Sequence, residues 1–295
     1  MLPGVELPDM LVDARWLLER RSTGDHDPLV LADVRWVGEG SARETYERGH
    51  LPGAVMLDAD TDLASAPFDG PGRHPLPAPH AFAAAMEHAG IGDDSAVIAY
   101  DDVGGSVAAR LWWMLRVLGR DVAMLDLPSL DAWIRHGGAL ETGPARPARS
   151  VSFTSMPWPA DRIVDAGSVR RILRERSAVL LDARAGERYR GEIEPIDPVA
   201  GHVPGAVSAE WAGNRGSDGR FLDPAALRRR YESFGVREGE DPIASCGSGL
   251  TASLALFSME RAGLGLGRLY EGSWSDWISE PSRPVATGSQ PGRPS

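Results

Sequence analysis

The chain contains a single cysteine, Cys246, and it opens the run Cys246-Gly247-Ser248-Gly249-Leu250-Thr251. A short apolar stretch, Pro242-Ile243-Ala244-Ser245, precedes it, and Ala252-Ser253-Leu254-Ala255-Leu256-Phe257 follows and reads as a helix. A strand ending in a thiol, then a glycine-bearing loop, then a helix N-terminus is a setting that stabilises an anion. The backbone N–H groups of such a loop turn inward, and the helix dipole favours negative charge at the same spot. That setting favours the ionised, nucleophilic form of a thiol. An isolated cysteine is ordinarily a small buried hydrophobe. The Gly-Ser-Gly loop makes a nucleophile the expectation here.

The elements that must position this thiol are legible as a duplication with an offset near 150 residues. Leu31-Ala32-Asp33-Val34-Arg35 answers to Leu180-Leu181-Asp182-Ala183-Arg184, and Gly49-His50-Leu51-Pro52-Gly53-Ala54-Val55 to Gly201-His202-Val203-Pro204-Gly205-Ala206-Val207. Ala96-Val97-Ile98-Ala99-Tyr100-Asp101 answers to Asp241-Pro242-Ile243-Ala244-Ser245-Cys246, and Leu130-Asp131-Ala132-Trp133 to Trp274-Ser275-Asp276-Trp277. Each copy alternates short apolar strands with helical stretches. Val97-Ile98-Ala99-Tyr100 reads as a buried strand, and residues 108–118 as a helix closed by Gly119. The alternation predicts an α/β fold, two tandem domains each with a mostly parallel sheet and helices on both faces. In such sheets ligands bind beyond the carboxyl ends of the strands, which is where Cys246 falls. The expected layout is a first domain over residues 1–140, a linker over 141–162, a second domain over 163–280 and a disordered tail over 281–295. The linker expectation rests on a stretch rich in Gly, Pro, Ser and Thr, and the tail expectation on similar composition with little apolar content.

Composition narrows the chemistry further. The chain has 295 residues and a formal net charge of −11, which argues against nucleic acid or an anionic membrane as a partner. An anionic substrate would need a local cationic pocket set against that field. With one cysteine there is no internal disulfide, and the seven histidines are scattered without zinc-ligand spacing, so no metal is expected. No apolar run approaches a membrane span, and Met1-Leu2-Pro3-Gly4-Val5-Glu6 lacks the pattern of a secretory signal, so a cytoplasmic location is expected.

The repeated Asp-x-Arg and Gly-His-x-Pro-Gly-Ala motifs, the Cys246 loop and Glu271-Gly272-Ser273-Trp274-Ser275-Asp276-Trp277 together resemble the tandem-domain rhodaneses, the thiosulfate/3-mercaptopyruvate sulfurtransferase family. The resemblance covers nearly the whole chain apart from linker and tail. It implies that only the second copy is catalytic, since the first carries Asp101 where the second carries Cys246. It implies that Cys246 takes a sulfane sulfur from a small anionic donor as a persulfide. The sulfur then passes to cyanide or to a thiol such as thioredoxin or glutathione, with no metal or organic cofactor. Gly247, Gly249, Leu250 and Thr251 would line the anion cradle, with Thr251 capping the helix or bonding within the loop.

Thiosulfate-preferring members place basic residues straight after the cysteine, whereas the neutral Gly247 and Ser248 resemble the mercaptopyruvate enzymes. In those enzymes the loop serine works with a histidine and an aspartate of the N-terminal domain, and the matching positions are Ser248, His74 and Asp60. A solvated loop histidine and a turn or capping aspartate are the competing readings of His74 and Asp60. Arg188, in Glu187-Arg188-Tyr189-Arg190, falls on the family's principal substrate-binding arginine. A second arginine is expected in a Glu-Pro-x-x-Arg-like segment, but Glu194-Pro195-Ile196 is followed by Asp197. Arg184 is the nearest alternative cation, although the resemblance gives that position a structural ion pair more often, and Arg190 is a further substitute. His50 and His202 read as structural turn residues because both copies have them. Trp112, Trp113, Trp274 and Trp277 read as packing residues.

Two other classes compete. A phosphatase of the same fold needs a longer Cys-loop ending in an arginine, which Cys246 to Thr251 lacks. A non-catalytic binding module would not need the cysteine at all.

Overall fold

The structure is a computed structural model that describes residues 7–22, 29–38, 40–67, 69–126, 130–145 and 149–294. The N-terminal segment 1–6, linker residues 146–148 and the final Ser295 fall outside these. The first sheet contains β1 (Leu11–Asp13), β2 (Leu29–Arg35), β3 (Val55–Asp58), β4 (Ala96–Tyr100) and β5 (Val122–Asp126). The second contains β6 (Ile163–Val164), β7 (Leu180–Asp182), β8 (Val207–Ser208), β9 (Ile243–Ser245) and β10 (Arg268–Tyr270). Their orders are β1-β5-β4-β2-β3 and β6-β10-β9-β7-β8, every pair parallel. The duplication seen in the sequence is thus a duplication of topology, and in each copy the third strand in this spatial order is the one followed by Asp101 or Cys246. That strand is buried throughout in both copies, Ala96–Tyr100 and Ile243–Ser245, as the apolar runs predict. The helix after it is apolar around most of its circumference, Ala108–Val117 in the first copy and Ala252–Arg261 in the second, so it is buried too.

The repeated motifs turn out to be one clamp built twice. In the second copy Arg184 donates to Asp182 (2.6 Å) and to the carbonyl of Gly201 (2.7 Å). In the first, Arg35 donates to Asp33 (2.7 Å) and to the carbonyl of Gly49 (3.2 Å). The Asp-x-Arg at a strand end therefore ties down the glycine of Gly-His-x-Pro-Gly. The neighbouring histidines stack on tyrosines: His202 lies 3.7 Å from Tyr189 and His50 3.7 Å from Tyr46, ring centre to ring centre. Each also bonds its tyrosine's carbonyl through Nδ1. Both histidines are buried structural residues, as expected. Trp112, Trp113, Trp274 and Trp277 are buried as well.

Three boundaries differ from the sequence expectation. The chain divides into one compact unit of residues 1–64 and 77–158 and another of 65–76 and 159–295. Residues 65–76 thus leave the first half of the sequence and pack with the second. Their backbone finds partners there: Arg73 N–H donates to Ser275 Oγ (3.0 Å) and Leu76 N–H to Glu271 Oε2 (3.1 Å). Gly72, at φ +80°, sits against the carbonyl of Gly272, where a Cβ would collide. Second, residues 149–158 of the expected linker pack within the first unit. Phe153 is buried and meets Phe82 edge-on at 5.7 Å, and Trp158 Nε1 donates to the carbonyl of Pro77 (2.8 Å). Third, residues 281–294 are an ordered strap rather than a disordered tail. Ala286 exchanges both backbone hydrogen bonds with His202 (2.8 and 3.0 Å), and the carbonyls of Pro284 and Pro291 accept from Trp277 Nε1 and Gly205 N–H. Low apolar content misled the expectation because this segment is held by backbone groups, not by side-chain burial.

Candidate active site

Cys246 directly follows β9 and is 3% exposed. Its N–H donates to Ser273 Oγ (3.0 Å), and its carbonyl accepts from Trp274 N–H (3.0 Å). Ser273 holds a positive φ of 52°, a conformation that costs a non-glycine residue free energy and concentrates at functional sites. Its hydroxyl is fixed by donating in turn to the Tyr270 carbonyl (2.9 Å). The strand, the loop and the Gly272-Ser273-Trp274 turn therefore fix the thiol's backbone from both sides.

The loop folds over the sulfur. Gly249, at φ +86°, donates its N–H to Cys246 Sγ (3.1 Å). Only glycine takes that backbone angle without strain, which explains its place in the loop. Leu250 is buried and Thr251 half-buried at the start of the helix Ala252–Arg261. Thr251 occupies the N-cap position, but in helical backbone geometry and without a side-chain cap, so its expected capping bond is absent. The reason is geometric: a capping residue needs extended backbone, and Thr251 is already helical at φ −67°, ψ −21°.

Ser248 Oγ and His74 Nδ1 share a hydrogen bond at 2.6 Å, and both residues are buried. His74 reaches the loop because it rides on the 65–76 segment, within the same unit as Cys246. The sequence placed it in the N-terminal domain, and the fold moves it. Asp60 belongs to the first unit, exposed just after β3, with its N–H on Asp58 Oδ1 (2.9 Å).

Arg188 sits in the short helix Gly186–Arg190 and bonds Glu194 through Nε (3.1 Å) and Nη2 (2.5 Å), with Nη2 also 3.3 Å from Asp197. A Cβ built on Gly247 would stand 3.5 Å from Arg188 Nη2 and 3.3 Å from Arg73 Nη2. Two guanidinium groups therefore flank the loop next to the thiol. Sequence reasoning missed Arg73; its only signal was its place beside His74. Ser273 was missed as well, though it lies in the Glu271-to-Trp277 motif.

Two expected cations are engaged elsewhere. Arg184 is buried against Asp182, Glu194 and the Gly201 carbonyl, with Trp274's ring 4.7 Å beneath it. Burial opposes its charge, but Asp182, Glu194 and Cys246 together offset this and raise its pKa. It therefore contributes positive field near the sulfur while its hydrogen bonds are spent on the clamp. Arg190 pairs with Glu192 (2.7 Å) at the surface. Among the described residues no group of His, Cys, Asp and Glu could hold a metal ion, and no helix is long and apolar enough to cross a membrane.

The first copy shows what the same cradle does with a fixed anion. Asp101, directly after β4, accepts from Val103 and Gly105 N–H through Oδ1 (2.9 and 2.6 Å). Through Oδ2 it accepts from Val107 and Ala108 N–H, both at 2.8 Å. Four backbone donors converge on one carboxylate at the position equivalent to the thiol.

A model of the rhodanese-like domain matches residues 13–135 and again residues 165–280. A Pseudomonas aeruginosa protein named "Probable 3-mercaptopyruvate sulfurtransferase" is 44% identical over 283 residues, which is 94% of this chain and 98% of that one. The thiosulfate sulfurtransferase of Rattus norvegicus is 30% identical over 278 residues, 91% of each chain. The crystal structure of SseA from Escherichia coli, described as a 3-mercaptopyruvate sulfotransferase, superposes with a TM-score of 0.77 at 30% identity, covering 90% of this chain and 99% of that one. With the domain matched twice and the relatives covered nearly end to end, the chain belongs to the rhodanese family.

Proposed function

We propose that this chain is a sulfurtransferase that carries a sulfane sulfur as a persulfide on Cys246, with 3-mercaptopyruvate preferred over thiosulfate as donor. The observation that carries the reading is the sulfur accepting the Gly249 N–H beside the Ser248–His74 pair. The Cys246 thiolate attacks the donor's outer sulfur. From thiosulfate, the S–S bond breaks and sulfite leaves with the electron pair. From mercaptopyruvate, the C–S bond breaks, the electron pair stays on carbon as an enolate, and the thiol proton passes to that carbon to give pyruvate. Either way the enzyme is left as Cys246–S–S⁻, and a thiol or cyanide removes the outer sulfur in a second half-reaction. Charge-assisted hydrogen bonds of the kind Gly249 makes contribute roughly 1.5–3 kcal/mol each. The Ser248–His74 pair is suited to moving the proton that the mercaptopyruvate route requires and the thiosulfate route does not. The neutral Gly247 and Ser248 and the name of the Pseudomonas relative point the same way.

Arg188 serves the donor's anionic group. Arg184 leaves the donor-binding set, because the first copy builds the same clamp with Arg35. Arg190 leaves it as well. Asp101 fills the first cradle with its own carboxylate, which accounts for a copy without sulfur chemistry. A lone thiol that must cycle through a persulfide suits the reducing cytoplasm and acceptors such as thioredoxin or glutathione. Steady-state kinetics with both donors test the reading. Parallel lines in double-reciprocal plots and a higher kcat/KM for mercaptopyruvate are expected. Intersecting lines would remove the persulfide intermediate, and a higher value for thiosulfate would reverse the donor assignment.

A further inference from the structure

Asp197 lies in the segment where the resemblance called for a second arginine, and the structure shows what it does there. Its carboxylate, 3% exposed, bridges two guanidinium groups: Oδ1 pairs with Arg73 Nη1 and Oδ2 with Arg188 Nη2. Both arginines border Gly247, next to the thiol. Arg73 Nε is buried without a hydrogen-bond partner among the described residues, so this guanidinium retains a donor to offer. The formal charges of the cluster cancel, with Arg73, Arg184 and Arg188 against Asp182, Glu194 and Asp197. An anionic donor entering beside a thiolate therefore meets no net positive charge while Asp197 stays in place.

We propose that Arg73 and Arg188 form a two-guanidinium clamp for the donor's anionic group, and that Asp197 occupies this clamp as an internal competitor which the donor displaces. This rests on the sulfurtransferase reading of the same site and deepens it. The exchange is one carboxylate for another: a monoanionic carboxylate donor restores the charge that leaves, whereas a dianion overfills the clamp. Asp197 thus selects donor charge, favouring a 2-oxo carboxylate over thiosulfate. Its loop can give way, since Ile196 and Val199 on either side are exposed (46% and 38%). The missing arginine of the Glu-Pro segment is replaced from another part of the chain, by Arg73 on the 65–76 strap.

The test is steady-state kinetics of wild type, Asp197→Asn, Arg73→Gln and the double variant with both donors, alongside intact-mass measurement of sulfur loading. Asp197→Asn is expected to lower KM about tenfold for thiosulfate and less for mercaptopyruvate, the scale of one charged hydrogen bond. Arg73→Gln is expected to raise KM for both donors, with the change falling on KM rather than kcat. In the Arg73→Gln background Asp197→Asn should then have a smaller effect, because half of the clamp is already gone. Arg73→Lys, which keeps the charge and loses the fork, should fall between wild type and Arg73→Gln even if glutamine disturbs the strap. An unchanged or raised KM in Asp197→Asn, or an unchanged KM in both Arg73 variants, overturns the clamp. Wild-type protein that takes up no sulfur from either donor overturns the sulfurtransferase reading instead, so the two failures are distinct.

Discussion

One position in each copy decides what its cradle does. At Cys246 a polarisable sulfur accepts the Gly249 N–H in the loop whose Ser248 bonds His74; at Asp101 a carboxylate takes four N–H groups. Replacing Cys246 with serine should abolish sulfur transfer with the fold intact, since a hydroxyl of similar size neither ionises at neutral pH nor carries sulfur. Circular dichroism together with turnover checks both halves of that statement. Asp101→Ala should have the opposite profile: transfer persists while the first unit loses about 3–5 kcal/mol, because several buried donors lose their acceptor at once. Chemical denaturation followed by proteolysis of each unit would register the loss, and an unshifted first transition would contradict the account of this cradle. Arg188→Ala should raise donor KM and also cost stability in the second unit, because the buried Glu194 and Asp197 lose a partner. Cys246, its loop and Arg188 were legible in the sequence as candidates, because a motif is a local object. Arg73 was hidden because its meaning depends on Asp197, 124 residues away.

At the scale of elements, the strap of residues 65–76 carries His74 and Arg73, and its seat is narrow. Gly72 at φ +80° lies against the Gly272 carbonyl, so Gly72→Ala faces both backbone strain and a collision. A loss of about 1–3 kcal/mol in the second unit is expected, with activity falling further than stability as His74 is displaced. A helix cap gives a pH-dependent test. Asp165 caps the helix Ala166–Glu175 and accepts from Ser168 N–H (2.7 Å), which lowers its carboxyl pKa. Because the folded pKa is depressed, the stabilisation is full above the ordinary aspartate value near ~4 and fades as pH falls through the folded value. Asp165→Ala should cost about 0.5–1 kcal/mol at pH 7 and nothing measurable near the acid end, as read by urea midpoints across pH. Strands and helices were legible from apolar periodicity in β4, β9 and the helices that follow them. The two straps were not, because segments rich in Gly, Pro and Ser are held by individual backbone bonds that leave no periodic trace.

Across the whole molecule, the repeat extends beyond the residues that first revealed it. His50 exchanges backbone bonds with Glu141 (3.0 and 2.9 Å) as His202 does with Ala286 (2.8 and 3.0 Å). What resembled a tail is the second copy of a strap that the first copy also has. Removing residues 281–295 should therefore destabilise the second unit by about 2–4 kcal/mol, for the lost backbone and indole bonds, and lower its melting midpoint accordingly. A truncated chain as stable as the full one would restore the tail reading. The duplicated sheet order, the arginine clamps and the histidine–tyrosine stacks are common to both copies, so they explain the fold. The proposed chemistry rests instead on features the copies do not share, Cys246 against Asp101 and the 65–76 strap with its His74 and Arg73.

The most direct measurement of that chemistry is the intact mass of the protein after brief incubation with 3-mercaptopyruvate, without an acceptor, followed by peptide mapping. One added sulfur atom is expected, located on Cys246, lost on addition of cyanide and absent in Cys246→Ser. An unaltered mass with either donor, or a sulfur carried on any other residue, would contradict it.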